Sequence, residues 1–176
     1  MSYPINVITG QPFRRHHQRV KATIGRGMYA ATDPEVVGDC FRACIASIIG
    51  ADTIDEVPHF VALQNLHEYF AGIELPWHDY ELAREWLRAE RGTDLAAITR
   101  DQLDKLDARY IVTVRSRTGP WNHAVIAHRG AVIFDPSGHG DYTIADTLDD
   151  LGLALCAPYE PDPAQQIRLW RTASDQ

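Results

Sequence analysis

The hydrophobic pattern of this chain changes its period near residue 108, and that change limits the folds that the chain can adopt. Before it, apolar side chains recur at the three- and four-residue spacing of helices. After it, short runs of apolar and β-branched residues are typical of strands, at 110–114, 124–127, 131–134 and 151–157. Helices followed by strands predict an α+β fold whose second half forms an antiparallel sheet.

The first predicted helix covers residues 40–49 and contains the cysteine on which the functional argument depends. Asp39 stands at an N-cap position, the apolar residues after Cys40 keep helical spacing, and Gly50 suits the C-terminal end. The other helices are expected at a capping-box segment over 53–56, then at 60–71, at 80–91 with Asp79 at its start, and at 99–107.

Length and composition predict one domain. The chain has 176 residues, of which 45% are hydrophobic, and a chain of this length buries roughly 70% of the surface that it exposes when unfolded. No repeat and no glycine-serine linker divides it. We therefore predict a single domain over residues 1–176, with an N-terminal arm or short strands at 1–30 and a C-terminal tail at 158–176.

The net charge of −7 argues against a general nucleic-acid-binding function. Residues 1–32 hold five basic and no acidic side chains, whereas the rest of the chain holds 12 basic and 24 acidic ones. We expect this basic arm to lie on the acidic body of its own chain rather than on an anionic partner. No stretch reaches the roughly 20 apolar residues that span a bilayer. The first residues lack a secretory signal pattern, so a cytoplasmic protein without membrane contacts is expected.

Three cysteines exclude a disulfide scaffold, and their odd number indicates a reducing compartment. Cys40 stands in the first turn of a predicted helix, where unpaired backbone N–H groups favour the thiolate and can also receive an oxyanion. Cys44 lies one turn further on the apolar face, and Cys156 follows an apolar run. Both are expected to be ordinary buried thiols. Cys40 is therefore the candidate nucleophile.

A base and an orienting carboxylate are predicted in one hairpin. If residues 128–130 form a three-residue loop with Gly130 in the left-handed conformation, His123 faces Asp135 directly across the two strands. Their Cβ atoms would then be roughly 4.5–5.5 Å apart, close enough for the carboxylate to hold the imidazole in one tautomer. A two-residue loop would put the pair on opposite faces.

Each of these three residues also has a purely structural interpretation. Cys40 could be a buried cysteine at a helix start, His123 a strand-end histidine, and Asp135 the first residue of an Asp-Pro turn. Taken together they form a nucleophile, a base and an orienting group, in which each role requires the next.

The chain resembles papain-like cysteine peptidases, most closely their bacteriocin-processing-type branch, in three motifs. These are Gly38-Asp-Cys-Phe-Arg-Ala-Cys44 before an apolar helix, His123-Ala-Val-Ile, and Phe134-Asp-Pro136. The resemblance covers residues 30–140 and is specific only at these motifs. It implies a papain-like fold in which the nucleophile helix packs on an antiparallel sheet. It also implies that Cys40 is the nucleophile, His123 the general base and acid, and Asp135 the residue that orients His123.

The chain departs from that family before the cysteine. The peptidases usually carry a glutamine about six residues upstream, whose amide helps to form the oxyanion hole, whereas Pro34 occupies this position here. We therefore expect the Cys40 backbone N–H to act with a second donor, either Gln11 or Asn122. The missing glutamine also leaves open a papain-like binding module without catalytic activity.

Other side chains near the motifs have weaker signals. Trp121 and Asp39 are candidates to line a substrate groove, and Trp121 is equally suited to anchoring the core. The histidines at 59, 67 and 78 lack the close spacing of helical metal ligands, so no metal site is predicted.

The predicted function is a cysteine-dependent hydrolase, a peptidase or amidase that acts through a thioester acyl-enzyme without a cofactor. Its predicted partner is a peptide or protein substrate. The same geometry serves acyl transfer of the transglutaminase or arylamine acetyltransferase type, which stays open as an alternative. No sequence feature predicts the oligomeric state.

Overall fold

A five-stranded antiparallel sheet organises the described part of the chain. The computed structural model describes residues 8, 10, 12–22, 37–148 and 151–156. The strands are β1 (Asp94–Thr99), β2 (Arg109–Arg115), β3 (Asn122–His128), β4 (Ala131–Phe134) and β5 (Leu151–Cys156). They lie in the order β1-β5-β2-β3-β4 across the sheet. The α+β class expected from the sequence is confirmed.

The described residues also form four α-helices, which are α1 (Cys40–Ile49), α2 (Phe60–Ala71), α3 (His78–Arg91) and α4 (Arg100–Leu103). The bounds of α1 and α2 are the predicted ones. Gly50 ends α1 in the left-handed region, with a φ of 67°, and its N–H donates to the carbonyls of Ala46 and Ser47. The predicted capping box forms a short 3₁₀ turn at Ile54–Glu56.

Two helix boundaries differ from the prediction. α3 begins at His78, not at residue 80, because the Gln64 side chain on α2 accepts the backbone N–H of Asp79 and so acts as an external cap. α4 ends at Leu103 instead of continuing to residue 107. The Leu103 carbonyl accepts the hydroxyl of Tyr110, which is already part of the central strand β2.

Strand β1 was not predicted. Its sequence contains two alanines, which have little preference for strands. It forms because it pairs along its whole length with β5, from Asp94 opposite Cys156 to Thr99 opposite Leu151. This pairing also confirms the strand expected near 151–157.

The sheet separates two apolar clusters, and the alternation of side chains along β3 shows which face belongs to each. Ala124 and Ile126 belong to the cluster that contains the buried face of α1. Val125 and Ala127 belong to the cluster on the opposite face, which Tyr142 covers. The first residues of β3 therefore lie where α1 crosses one face of the sheet.

The β3–β4 hairpin differs from the predicted one. Its loop has two residues, Arg129 and Gly130, with φ values of 47° and 76°, which are typical of a type I′ turn. By itself this loop would put His123 and Asp135 on opposite faces. However, Ile126 pairs with Phe134 and Ala127 with Val132, so that β4 contains a bulge. The extra residue brings the two side chains back to the same face of the sheet, because continuing the Ile126–Phe134 register places Asp135 diagonal to His123.

Residues 12–22 form an arm that runs along α1 from its C-terminal to its N-terminal end. The N–H of Arg14 donates to the Ser47 carbonyl at 3.3 Å, and the N–H of Asp39 donates to the Val20 carbonyl at 3.4 Å. Arg14 also pairs with Asp52, and the guanidinium of Arg19 lies 2.8 Å from the carboxylate of Asp55. The described part of the basic arm thus lies on acidic side chains of its own chain, as expected.

Several predictions fall outside the described residues. They concern the rest of the arm, Gln11, Pro34 and the C-terminal tail at 158–176. Within the ranges that are described, no helix combines the length and apolar character needed to cross a bilayer.

Candidate active site

Cys40 is the first residue of α1 and is partly exposed. The Asp39 carbonyl already accepts the first intrahelical bond, from the N–H of Ala43 at 2.9 Å. The N–H of Cys40 itself has no partner within the helix, because the first four N–H groups of a helix never do. The Cys40 sulfur accepts the backbone N–H of Ala124 at 3.4 Å, which fixes it beside the start of β3.

His123 lies between the cysteine and a carboxylate. Its ring is buried, and its Nε2 lies 2.6 Å from Oδ1 of Asp135. Because Nε2 is occupied, Nδ1 is the ring nitrogen available to the Cys40 side chain. Burial lowers the pKa of His123, but the hydrogen bonds to Asp135 and to the Cys40 side chain outweigh this effect and raise the pKa to about 9. The ring is therefore an imidazolium at neutral pH.

Asp135 is held by the residues that follow it. The N–H of Ser137 donates to its Oδ1 at 2.8 Å, and the Ser137 hydroxyl lies 2.8 Å from both carboxylate oxygens. Burial raises the pKa of Asp135, but the bonds from His123 and Ser137 outweigh this effect and keep the pKa below its ordinary value. The group is a carboxylate at neutral pH, and a serine that the sequence argument left without a role fixes its orientation.

The ring that packs on His123 belongs to Tyr142. The two ring centroids are 5.6 Å apart, and Tyr142 is itself held by Arg117, whose N–H donates to the tyrosine hydroxyl at 3.1 Å. Trp121, the groove or core candidate, lies over Gly119. No local pattern connects Tyr142 to the histidine, since the two meet only through the fold.

Asp39 is fully buried, and no part of it faces a groove. Its Oδ1 accepts the backbone N–H groups of Arg19 and Val20, each at 3.0 Å, and it makes no side-chain capping bond to α1. Asp39 therefore attaches the arm next to Cys40.

Gln18 is the polar side chain of the arm that the sequence argument missed. Its N–H donates to the carbonyl of Pro136 at 3.0 Å, one residue after Asp135. The next N–H along the arm, that of Arg19, binds Asp39, one residue before Cys40. Gln18 and Arg19 thus link the backbone beside Asp135 to the side chain of Asp39, the residue before Cys40. The side-chain Oε1 of Gln18 is buried without a hydrogen-bond partner.

The other candidates lie elsewhere or outside the described residues. Asn122, at the start of β3, is exposed, and Gln11 is not described. Cys44 is fully buried and Cys156 lies on β5, and burial raises the pKa of both thiols. Only Cys40 adjoins an imidazole.

The described residues contain no group of three or more side chains suited to a metal ion. His59 bonds to the Val37 carbonyl at 3.0 Å, and its other nitrogen accepts the N–H of Ala62, so it caps α2. His67 and His78 bond to each other at 2.7 Å.

The geometry brings the Cys40 thiol to the start of β3, next to an imidazolium that is hydrogen-bonded to a carboxylate. Such an arrangement can hold the sulfur as a thiolate and can return a proton to a leaving group. Comparisons of the chain with family models, with curated proteins and with solved structures find no match in any of the three.

Proposed function

We propose that this protein is a thiol-dependent hydrolase of peptide or other amide bonds. Cys40 is the nucleophile, His123 the general base and acid, and Asp135 the group that orients His123. The observation that carries the proposal is the buried His123–Asp135 bond beside Cys40, whose sulfur accepts the N–H of the residue after His123. Cys40 and Ala124, the residue after His123, are 84 positions apart in the chain. A purely structural contact between Cys40 and Ala124 would not require the buried His123–Asp135 pair next to it.

The charge state of the site defines the first chemical step. A His123 pKa of about 9 means that the imidazolium can stabilise a Cys40 thiolate at neutral pH. The sulfur attacks the carbonyl carbon, an S–C bond forms, and the carbonyl electron pair moves to the oxygen. When the C–N bond breaks, the leaving amine takes the proton from His123.

Hydrolysis of the thioester restores the site. The neutral His123 removes a proton from water, and the water oxygen attacks the thioester carbon. Cleavage of the C–S bond releases a carboxylic acid and returns the thiolate beside the imidazolium. Asp135 stabilises the imidazolium without being protonated itself, since its pKa lies below the ordinary range.

The oxyanion needs donors that point at the developing charge. The N–H of Cys40 is one such donor, because it has no partner within α1. We assign the second to the side-chain amide of Gln18, which the arm holds between the residues flanking Cys40 and Asp135. This takes the place of the Gln11 and Asn122 candidates.

The helix-on-sheet arrangement around Cys40 supports a papain-like fold, and the free thiols support a reducing, cytoplasmic setting. The chemistry uses only side chains and water, and therefore needs no cofactor. A peptide or protein segment is the proposed substrate.

Alkylation tests the nucleophile. The full chain is treated with iodoacetamide between pH 5.5 and 8.5, and each cysteine is followed by peptide mapping. We expect Cys40 to react at least about tenfold faster than Cys44 or Cys156 and to stay reactive below pH 7. His123→Ala should slow Cys40 alone. Equal, slow labelling of all three cysteines would contradict the assignment.

Product analysis tests the reaction. Wild-type protein and Cys40→Ala are incubated with a mixed peptide library, with and without an added primary amine, and new chain ends are identified by mass spectrometry. Free carboxylic acids that require Cys40 support a hydrolase. New amides formed only with the amine would indicate acyl transfer, and the lack of either product would indicate a binding module.

A further inference from the structure

The corner between α2 and α3 exposes an unusual amount of apolar surface. Of the seven large hydrophobic side chains exposed in the described residues, five lie between positions 63 and 77. We define the α2–α3 patch as the four most exposed of them, Tyr69, Phe70, Ile73 and Trp77, which are 54% to 78% exposed. Single exposed hydrophobic residues are normal, whereas a cluster marks an interaction surface.

The members of the patch are neighbours in space. The rings of Tyr69 and Phe70 meet edge to face at 5.5 Å, and Ile73 comes two residues after the last residue of α2, Ala71. Trp77 directly precedes His78, whose ring bonds to His67, one turn before Phe70. The patch is therefore one surface and not four separate side chains.

Trp77 has a strained backbone conformation, and packing of its side chain does little to offset the strain. Its φ of 65° is left-handed, and among the described non-glycine residues only Arg129, in the hairpin turn, shares this feature. A bulky side chain is strained there, and strain of this kind concentrates at binding sites. Because the Trp77 side chain is 66% exposed, packing within the described chain offsets little of this strain.

The corner is rigidly built. Leu75 and Asp79 lie on either side of Trp77, and buried side chains on α2 accept the backbone N–H of each. Oε1 of Glu68 accepts that of Leu75 at 3.0 Å, and Oε1 of Gln64 accepts that of Asp79 at 2.8 Å. These bonds fix the conformation of Trp77, so that the patch is preformed and binding need not order it.

The charge around the patch selects its partner. Residues 60–83, which contain the corner, hold four acidic side chains and no lysine or arginine. Of the four, Glu68 is buried and Glu81 pairs with Arg84. Glu74, within the corner itself, is exposed. An exposed carboxylate in a segment without lysine or arginine favours a cationic group in a partner over an anionic lipid headgroup or a second copy of the same patch.

We propose that the α2–α3 patch binds a segment of a partner protein that carries apolar side chains next to arginine or lysine. The site is separate from Cys40. His59, which precedes α2, contacts the backbone of Val37 near the nucleophile, whereas the patch lies at the far end of this 12-residue helix, about 18 Å away. The inference therefore goes beyond the proposed hydrolysis and does not depend on it.

Fluorescence anisotropy tests the partner chemistry with the full chain. The probe is a labelled peptide of alternating leucine and arginine, and the comparison peptides replace arginine by glutamate or leucine by serine. We expect the leucine-arginine peptide to bind at least about tenfold more tightly than either, and its affinity to fall with added salt. Equal affinity for the glutamate peptide, or binding that salt does not weaken, would overturn the proposal.

Matched variants locate the binding site. Phe70→Ser with Ile73→Ser should weaken binding at least about tenfold, whereas Leu148→Ser with Leu151→Ser, at exposed leucines elsewhere, should not. Trp77→Gly separates function from folding, since glycine accepts the left-handed conformation without strain. It should weaken binding while the thermal midpoint stays equal or rises.

Three results would overturn the inference. One is peptide binding that survives all the patch substitutions. Another is a loss of thermal stability in Trp77→Gly, which would make Trp77 a structural residue. The third is patch-dependent binding to vesicles, or patch-dependent self-association in sedimentation, instead of peptide binding.

Discussion

Raising the pH from 7 to 8.5 should destabilise the Cys40→Ser variant of this protein through one side chain, His123. In the wild type a Cys40 thiolate opposes this loss, because an unfolded cysteine, with an ordinary pKa of about 8.5, gives up its proton in the same window. In the folded chain the pKa of His123 is about 9, compared with 6.5 for an ordinary histidine, which we take for the unfolded chain. A pKa raised by folding contributes stability that is complete below pH 6.5 and is lost as the pH rises through 9. The difference corresponds to at most about 3 kcal/mol in total, of which at most about 2 kcal/mol is lost between pH 7 and 8.5, because Cys40 contributes part of the raised pKa and serine keeps only part of that contribution.

The pH window isolates His123 from other shifted groups. The pKa of His59 is lowered by burial, so its contribution changes below pH 6.5. The pKa values of Cys44 and Cys156 are raised by burial, so their contributions change mainly above pH 9. Asp135 titrates far below the window.

Urea unfolding of the Cys40→Ser variant at pH 7 and pH 8.5, followed by tryptophan fluorescence, measures the effect, and the two further substitutions are made in the same background. Asp135→Asn removes the charge that favours the imidazolium, so this variant should be less stable at pH 7 and should lose most of the pH dependence. Asp107→Asn is the matched control, since it removes the partner of an exposed histidine, His128, in the same hairpin. It should keep the full loss of at most about 2 kcal/mol. Equal stability of Cys40→Ser at both pH values, or an unchanged loss when Asp135→Asn is added, would refute the reasoning.

Three further predictions concern the arm and the orientation of the site. Gly50→Ala should cost at least about 1 kcal/mol more than Gly72→Ala in urea unfolding, because both positions are left-handed but only at Gly50 would the new Cβ lie 2.8 Å from Pro12. Ser137→Ala should cost about 1 kcal/mol of stability and lower kcat about tenfold with little change in KM, since the imidazole loses its fixed partner; an unchanged kcat would contradict this role. Gln18→Ala should lower kcat by about 10²–10³ without changing the rate of alkylation by iodoacetamide, as expected when one oxyanion donor is lost.

The sequence predicted the nucleophile helix well because the determinants of that helix are local. Apolar spacing after Cys40 and a glycine at position 50 specify α1 without reference to the rest of the chain. Strand β1 could not be found in this way. Its alanines favour no particular structure, and only pairing with β5, at the far end of the described chain, makes it a strand.

The contact between His123 and Asp135 was predicted for a reason that was partly wrong. A glycine at position 130 fits both a three-residue loop and the type I′ turn that forms, so the loop length was ambiguous. The bulge in β4 then restored the face that the shorter loop would have changed. A bulge depends on packing along the whole strand, and no residue in the hairpin signals it.

The side chains that complete the site were missed because they meet it only in three dimensions. Tyr142 reaches His123 from beyond β4, and Gln18 reaches the site from the arm. The spacing of a family motif offered Gln11 and Asn122 as donors, whereas the described contacts favour Gln18. Contacts of this kind depend on the topology of the fold, and no hydrophobic periodicity in the sequence indicates them.

The separation of Cys40 from its imidazole has a consequence for biosynthesis. A ribosome makes Cys40 and α1 well before Ala124, which lies 84 residues later, and at about 5–20 residues per second that interval lasts roughly 4 to 17 s. Gln18 likewise waits for Pro136 before its backbone bond can form. The nascent chain therefore carries a thiol without its base. Any translation product that ends before His123 would lack the proposed hydrolase activity.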